Sequence, residues 1–466
     1  MRRVPLMILS ACLAVIMSTA VHSRQTAHGA SPLPRLEADE CPSGAASCAR
    51  EEPARLLYVW MGDVDRDPAT GELGPGEDPD FLAVFDVDPQ SSSYGDVLAT
   101  LPVGLVGSLP HHTEYEMPPP GQPLFANAHL TEDVLLFDLE DPLNPRVAGV
   151  LERVPPLRFP HDIVALPNGN VLVGYLRSEG PSPVPGDSQL PGGHGGLAEF
   201  TRSGELVRWA SAAVDSLAEP VRPYSFAALP EIDRLVVTSA LMMEQHSANV
   251  VQVWRLSDLT QLKTLAVPPA RLSDGTLLRT RDPRTGTLEP TGEALPFEPR
   301  VMRDGSVLFN AFGCGLYRIT GLEGDNPAVE NVYSFAVPED VPLGACGVPV
   351  YTGRYWIMAV GAAHALVTLD VENPAEPRRV ARLETGPEFA PHWLAMDPGS
   401  HRLIVGAMGV GEDRMLMARL DPATGELSWD ETLRARNGFP GIDFRRTEWP
   451  HGESGLAFGH AAVFGK

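Results

Sequence analysis

The chain has 466 residues, of which 43% are hydrophobic, and a formal net charge of −24. That hydrophobic share supplies a large buried core and excludes a wholly disordered chain, while 46 prolines and 44 glycines predict many turns and few long helices. Because the excess negative charge repels phosphate groups and anionic lipids, we expect no nucleic-acid partner and favour a small molecule or a cation.

The first 23 residues have the pattern of a secretory signal peptide. Arg2 and Arg3 precede an apolar stretch, residues 4–21, which ends among small residues. Cys12 also fits a lipoprotein cleavage site, so a lipid-anchored product is the alternative. Beyond this stretch the sequence has no apolar run of the 18 or more residues that a membrane span needs. We therefore predict a periplasmic or secreted protein without a membrane span.

Residues 24–54 predict an extended leader, because prolines and small residues dominate them. Four cysteines remain after the signal peptide, an even number that suits an oxidising compartment. We expect Cys41 to pair with Cys48, which would tether the leader, and Cys314 to pair with Cys346, which would link neighbouring repeats. The alternative for Cys314 is a buried free thiol.

Residues 55–466 consist of short apolar runs that end at Gly, Pro, Asn or Asp, which is typical of strands and turns. A hairpin with an acidic turn and a proline occurs at residues 136–147 and 369–380, and five variants of it bring the number of copies to seven. Successive copies are 52, 63, 54, 63, 52 and 49 residues apart, a period that suits a four-stranded propeller blade. The marker residues are Val87, Leu139, Arg202, Leu256, Ile319, Val371 and Leu420. We predict an all-β fold, a single seven-bladed β-propeller.

A further strand precedes most of these hairpins. Examples are residues 170–175, 234–239, 306–310 and 402–406, each of which mixes apolar residues with Gly, Ser or Thr. Because space is narrow beside a central channel, we expect these to be the innermost strands of their blades.

The segment Asp-Pro-x-Thr-Gly-x-Leu occurs at residues 67–73, 282–288 and 421–427 and predicts hairpin tips. The first copy continues a series of alternating carboxylates that begins at Asp63 and resembles a calcium loop. It departs from the EF-hand pattern, because Pro68 stands where that loop requires glycine. Looser calcium binding there is an alternative to a plain hairpin tip.

Histidine is the residue type whose placement suggests chemistry, since the sequence lacks a Cys-x-x-Cys pair, a Walker A loop and a dinucleotide-binding fingerprint. His111, His112, His161, His392 and His451 lie at or next to prolines where blades are expected to begin. In a propeller these positions face the central channel, so distant residues can meet around one metal. Neutral imidazoles suit copper, zinc or iron, whereas calcium prefers oxygen ligands. The alternative for any single histidine is a turn residue hydrogen-bonded to backbone.

His111 and His112 can share a metal only if their segment is a loop or a β-bulge, because adjacent residues of a regular strand point to opposite faces. Pro110 favours such an irregularity. His392 occupies an equivalent position on a late blade, so we expect it as a substitute or a fifth ligand.

Several segments together resemble a known family over roughly residues 105–466. They are the pair His111-His112, residues 124–145, His161, Gly195-Gly196-Leu197, Pro223-Tyr224-Ser225-Phe226, Glu298-Pro299-Arg300, Phe312-Gly313-Cys314 and the late histidine His451. The chain resembles the selenium-binding protein and methanethiol oxidase family of seven-bladed propellers. The Cys-Ser-Ser-Cys stretch of many members is replaced here by residues 114–118, Glu-Tyr-Glu-Met-Pro.

The resemblance implies a copper site built from His111, His112, His161 and His451. In the oxidase members, copper supports the oxygen-dependent oxidation of a small thiol to an aldehyde, hydrogen sulfide and peroxide. We expect the carboxylates of Glu114 or Glu298, together with Arg300, to lie around the ligands and orient them.

The sequence therefore indicates three alternative functions. The leading hypothesis is an exported copper-dependent oxidoreductase, a thiol oxidase, that acts on a small sulfur-containing molecule. The alternatives are a non-catalytic propeller that binds metal, selenium or protein, and a calcium-dependent, lactonase-like hydrolase. The sequence does not decide between enzyme and binding module, and it does not name the substrate.

Overall fold

The computed structural model describes residues 54–465, apart from residues 67–72, 185–191, 243, 245, 273, 282–287, 291–293, 338–344, 409–412, 436–437, 439 and 454. The predicted signal peptide, the predicted leader and the pair Cys41 and Cys48 lie outside the described residues. Pro53–Lys466 forms one compact unit.

The described residues form 33 short strands and two single-turn 3₁₀ helices, Pro230–Ile232 and Gly361–Ala363. In chain order the strands are β1 (Leu56–Arg66), β2 (Leu73–Pro75), β3 (Pro79–Asp86), β4 (Val97–Val106), β5 (Pro110–Thr113), β6 (Leu124–Ala128), β7 (Asp133–Asp138), β8 (Arg146–Val150), β9 (Leu157–Ala165), β10 (Val171–Ser178), β11 (Gly196–Phe200), β12 (Leu206–Ser211), β13 (Pro223–Leu229), β14 (Arg234–Ser239), β15 (Val250–Arg255), β16 (Thr260–Ala266), β17 (Arg279–Arg281), β18 (Leu288–Pro290), β19 (Pro296–Val301), β20 (Val307–Ala311), β21 (Gly315–Thr320), β22 (Ala328–Ser334), β23 (Val350–Tyr351), β24 (Tyr355–Val360), β25 (Ala365–Asp370), β26 (Arg378–Glu384), β27 (Pro391–Met396), β28 (Arg402–Ala407), β29 (Arg414–Leu420), β30 (Leu427–Trp429), β31 (Ile442–Asp443), β32 (Arg445–Arg446) and β33 (Gly455–Gly465).

Seven antiparallel sheets form the blades of a β-propeller, which confirms the predicted fold. Six blades use consecutive strands: β5–β8, β9–β12, β13–β16, β19–β22, β23–β26 and β27–β30. The β17–β18 hairpin is a separate two-stranded sheet between the fourth and fifth of the seven blades, and β31 pairs with β29.

The remaining blade joins the two ends of the described chain. The C-terminal strand β33 pairs with β1, which continues outward through β3 to β4. The pairing runs from Leu56 opposite Gly465 to Val64 opposite Leu456. This arrangement closes the ring of blades.

The innermost strand of each complete blade is its first strand, which corrects the prediction that the second one lines the channel. Contacts run around the centre from β33 to β5, from β5 to β9, from β9 to β13, and from β13 to β19. The strands predicted as innermost, such as β10, β20 and β28, are second strands and are buried along almost their whole length. Their apolar character reflects packing against neighbouring blades on both faces.

Cys314 and Cys346 form a disulfide with an S–S distance of 2.11 Å, which confirms the predicted pairing. The bond joins the turn between β20 and β21 to the segment that precedes β23, so it connects two neighbouring blades. Both cysteines are fully buried.

Replacing both Cys314 and Cys346 by serine is expected to lower the free energy of unfolding by about 4 kcal/mol. The reason is that the bond joins cysteines 32 residues apart, and releasing such a loop restores chain entropy to the unfolded state. Urea unfolding of the variant and the wild type under non-reducing conditions measures the difference. A difference below about 1 kcal/mol would contradict this role.

Candidate metal centre

The strand that carries His111 and His112 is interrupted by a β-bulge. Pro110 and Thr113 pair with two residues of β6 that are only two positions apart, so the strand accommodates one extra residue. A bulge breaks the regular alternation of side chains. As a result the two imidazoles stack on one another, with ring centroids 4.4 Å apart. The predicted irregularity at this pair is confirmed.

The same irregularity recurs around the channel. Pairing shifts by one residue just after the first proline of four further inner segments, at Pro160, Pro223, Pro296 and Pro391. β33 has an equivalent shift next to His460, although Gly459 precedes this residue in place of a proline. The fold thus aims two successive side chains inward on each of these blades.

The first residues of these bulges form a closed circle of six rings. The consecutive centroid distances are 5.0 Å for His111–His161, 4.0 Å for His161–Tyr224, 4.1 Å for Tyr224–Phe297, 6.2 Å for Phe297–His392, 5.0 Å for His392–His460 and 4.0 Å for His460–His111. The remaining blade contributes Gly347, where a Cβ atom would lie 2.7 Å from Nδ1 of His392. The glycine therefore leaves room for the His392 imidazole.

Three of the histidines are close enough to hold one metal ion. His111, His112 and His161 are buried, and each offers a ring nitrogen within 4.8 Å of those of the other two. The Nε2 atoms of His111 and His161 are 3.2 Å apart. Two nitrogens at that separation can both lie about 2 Å from a single ion, the usual metal–imidazole distance.

Backbone carbonyls fix the orientation of two imidazoles, that of His161 in the trio and that of His460 beside it. Nδ1 of His161 lies 2.9 Å from the carbonyl oxygen of Tyr224, and Nδ1 of His460 lies 3.2 Å from that of His111. A carbonyl can only accept, so each Nδ1 carries the hydrogen and each Nε2 keeps its lone pair. This pattern is the usual second hydrogen bond of a metal-ligating histidine.

Several imidazole nitrogens have no hydrogen-bond partner in the described part of the chain, although they are buried. Within the histidine cluster they are both nitrogens of His112, Nε2 of His129 and Nδ1 of His392. Buried polar atoms are normally satisfied. A metal ion held by the trio would take the lone pair of one His112 nitrogen, so the residues present fit such an ion.

Burial keeps the imidazoles neutral. It lowers the pKa of His161 to about 3 and the pKa values of His129 and His392 to about 4. The same desolvation lowers the pKa values of His111, His112 and His460 well below their usual range. Because the neutral form binds metals, the cluster is ready for a metal at pH 7 without releasing protons.

Asn127 holds the two ligand-bearing strands together. Its Oδ1 accepts a hydrogen bond of 2.6 Å from the backbone N–H of His112, and its Nδ2 donates to the carbonyl oxygens of Pro160 and His161 at 2.7 and 2.9 Å. Asn310 makes a comparable pair of bonds on another blade, to the carbonyls of Cys346 and Gly347.

Replacing Asn127 by alanine is expected to weaken metal binding by about 10–100-fold, because the strands that carry His112 and His161 lose their shared support. Asn310→Ala is the matched control. We expect both variants to lose roughly 1–3 kcal/mol of stability, while Asn310→Ala keeps the wild-type metal affinity. Isothermal titration with copper measures the contrast, and equal affinities in the two variants would contradict it.

A second layer of polar side chains beside the rings centres on Tyr115. Its hydroxyl lies 2.9 Å from Oδ1 of Asp162 and 2.8 Å from Oε2 of Glu298. One hydroxyl has one hydrogen, so it donates to one carboxylate while the other acid donates to it. Burial, followed by the charge of Glu298, raises the pKa of Asp162 to about 7. Because Arg300 pairs with Glu298 at 3.1 Å, we assign the bond donated by Tyr115 to Glu298 and, below about pH 7, the proton of the pair to Asp162.

The acidic side chains predicted around the ligands occupy different places. Glu114 pairs with Arg202 at 2.7 Å and accepts a bond from the backbone N–H of Phe125, so it does not orient an imidazole. Glu298 pairs with Arg300 at 3.1 Å and belongs to the Tyr115 layer. The carboxylate nearest to an imidazole of the trio is Asp162, whose Oδ1 is 3.6 Å from Nδ1 of His112. Sequence reasoning missed it.

His451 does not lie in the cluster, which corrects the prediction that it is the late ligand. Its Nδ1 is 2.7 Å from the Thr100 hydroxyl and its Nε2 is 3.0 Å from Glu453. The late histidine that joins the rings is His460, on the closing strand. A proline before His451 directed the prediction to it, whereas the signal for His460 is the regular position of one ring on each blade.

Two known proteins are similar to part of the chain. A methanethiol oxidase from Hyphomicrobium sp is 31% identical over 185 residues, and selenium-binding protein 1 from Arabidopsis thaliana is 32% identical over 121 residues. The chain resembles the selenium-binding protein and methanethiol oxidase family, as predicted. These matches cover 39% and 23% of the chain but only 38% and 25% of the two relatives. The chain matches no protein-family model.

Solved structures share the propeller fold of this family. A hypothetical selenium-binding protein from Sulfolobus tokodaii superposes with a TM-score of 0.62 at 15% identity and covers 89% of this chain and 94% of its own. The periplasmic gluconolactonase of Pseudomonas aeruginosa has a TM-score of 0.53 at 13% identity, with coverage of 88% and 99%. At these identities the likeness concerns the fold alone.

Among the described residues, no helix is long and apolar enough to cross a membrane.

Proposed function

We propose that the chain is an exported, copper-dependent oxidoreductase that acts on a small sulfur-containing molecule. The observation that carries the proposal is the buried trio of His111, His112 and His161, whose ring nitrogens converge within 4.8 Å. The partial likeness to a methanethiol oxidase supports the type of reaction.

Copper is the metal that we favour within the group that neutral imidazoles suit. When bound, it would supply one-electron redox chemistry and reactivity toward oxygen. The chain's own residues bury the ligands, keep them neutral and fix the direction of their lone pairs. The rings of Tyr224, Phe297 and Trp393 exclude water from the same space, because they line it with apolar surface.

Export is supported by the Cys314–Cys346 disulfide, because such bonds persist mainly in oxidising compartments. A calcium-dependent hydrolase is disfavoured, since calcium requires six to eight oxygen ligands and the buried cluster offers nitrogens. The experiment below distinguishes an oxidase from a non-catalytic metal-binding propeller.

The test measures copper content and turnover in one preparation. We expect about one copper per chain after dialysis, and copper-dependent oxygen uptake with methanethiol or another short thiol that yields an aldehyde, sulfide and peroxide. Metal-free protein is the control and should consume no oxygen. If the protein binds stoichiometric copper but oxidises no short thiol, its function is metal binding and not catalysis. If it binds no copper, the proposal is wrong.

A further inference from the structure

Two aromatic side chains extend from the histidine cluster toward the surface. The indole of Trp393 is fully buried, with its ring 5.1 Å from that of His112 and 5.8 Å from that of His460. The ring of Tyr115 stacks on Trp393 at 5.3 Å with an interplanar angle of 5°. Tyr115 is partly exposed. The Tyr115 ring also contacts the cluster directly, since it lies 6.3 Å from that of His112. Both aromatic side chains therefore connect the cluster with the region outside it.

The hydroxyl of Tyr115 faces one carboxylate that can take its proton, Glu298, and a second acidic side chain, Asp162. Oε2 of Glu298 lies 2.8 Å from it, and Oδ1 of Asp162 lies 2.9 Å from it. The Arg300 guanidinium lies 4.8 Å from the centre of the Tyr115 ring and pairs with Glu298. A phenol becomes a strong acid once it loses an electron, so a carboxylate already bonded to the hydroxyl allows proton and electron to leave together.

We propose that Tyr115 is a redox-active residue that delivers single electrons to the histidine cluster, which its ring and that of Trp393 both contact. In this step Tyr115 loses one electron to a one-electron oxidant, an oxidised transition-metal ion held by the cluster. The O–H bond of Tyr115 breaks, its proton passes to Oε2 of Glu298, and a neutral phenoxyl radical remains. The oxidant is reduced by one electron, so charge and atoms balance.

The physiological role of this step rests on the proposed function. Oxidation of a thiol to an aldehyde removes two electrons, whereas a single copper ion commonly exchanges one at a time. A second one-electron carrier next to the cluster supplies the difference. Tyr115 satisfies both requirements, since it has an aromatic contact toward the cluster and a hydrogen-bonded proton acceptor.

The test uses full-length protein oxidised with hexachloroiridate(IV), frozen within milliseconds and examined by electron paramagnetic resonance. In the metal-free wild type we expect a tyrosyl radical whose spectrum narrows when the protein contains ring-deuterated tyrosine. Tyr115→Phe keeps the stacked ring and should lower this signal at least tenfold. Tyr224→Phe is the matched control and should retain it, because the Tyr224 ring lies 4.0 Å from His161 without a carboxylate hydrogen-bonded to its hydroxyl in the described residues.

A second arm mixes reduced, copper-loaded protein with oxygen. We expect the Tyr115 radical in the wild type and a signal at least tenfold weaker in Tyr115→Phe. The redox role is overturned if Tyr115→Phe and wild type give the same tyrosyl signal, or if the metal-free wild type gives none. If the protein takes up no copper but still forms the Tyr115 radical, the proposed function is wrong and the redox role of Tyr115 is supported.

Discussion

Replacing His460 by alanine is expected to abolish stoichiometric copper binding, whereas His451→Ala is expected to leave it within about twofold of wild type. The ring of His460 lies 4.0 Å from that of His111, and its Nδ1 is held by the His111 carbonyl, which leaves Nε2 free to bind. Both nitrogens of His451 are instead hydrogen-bonded, to Thr100 and Glu453. Because changes outside the ligand shell already cost 10–100-fold in metal affinity, loss of a ligand should cost about 100-fold or more.

Copper per chain after dialysis, measured for both variants and the wild type in parallel, tests this contrast. His460→Ala removes a buried ring, so its thermal unfolding is recorded as a check on folding. A His460→Gln variant that fills more of the space serves as a second probe and should also lose copper. The assignment would be reversed if His460→Ala bound copper like the wild type while His451→Ala lost it.

Metal-free protein is expected to lose stability steeply as the pH falls from 7 to 5. The pKa of His161 is about 3 and those of His129 and His392 are about 4 in the folded protein, whereas unfolded histidines titrate near 6.5. The unfolded chain therefore takes up protons in this window and the folded chain does not. Because the folded pKa lies below the unfolded pKa, each histidine stabilises the folded protein fully only above about pH 6.5. Between pH 7 and pH 5 the free energy of unfolding therefore falls by about 2 kcal/mol per histidine.

Asp162 acts in the opposite direction. Its folded pKa of about 7 lies above the unfolded value, so the folded protein gains a proton between pH 7 and pH 5. Protonation of Asp162 stabilises the folded protein by about as much as one of the three histidines destabilises it. The four groups together lower the free energy of unfolding by about 4 kcal/mol. The depressed pKa values of His111, His112 and His460 add to the loss.

Urea unfolding at pH 7, 6 and 5 measures this dependence, and His129→Gln isolates one contribution. His129 is buried, and its Nδ1 contacts the carbonyl of Pro160 at 3.3 Å. We expect the variant to lose about 2 kcal/mol less than the wild type between pH 7 and pH 5, whatever its stability at pH 7. Equal pH dependence in the two proteins would mean that His129 is not buried as a neutral imidazole.

The number of blades could be predicted from the sequence because each hairpin is specified locally. Segments such as residues 136–147 and 369–380 carry their own turn residues, and their spacing survives changes in loop length. The innermost strands were harder to identify, because a second strand packed between two blades has the same apolar composition as one that lines a narrow channel. The first strands gave a weaker hydrophobic signal, since their bulged ends carry polar residues such as His112 and Asp162.

The site was partly predictable for a related reason. A proline before the bulge marks His111, His161 and His392, and the sequence singled out all three. His460 follows Gly459, so no proline signals it. His451 does follow a proline, Pro450, but it lies in a turn. Tyr115 and Asp162 could not be predicted as partners, because their contact at 2.9 Å depends on how two neighbouring blades pack.

X-ray absorption at the copper K-edge of the copper-loaded protein tests the central claim most directly. We predict one copper per chain with at least three imidazole nitrogens at about 2.0 Å, and less bound copper or weaker imidazole scattering in His161→Ala. A copper shell made of oxygen or sulfur, or the same imidazole pattern in His161→Ala, would contradict it.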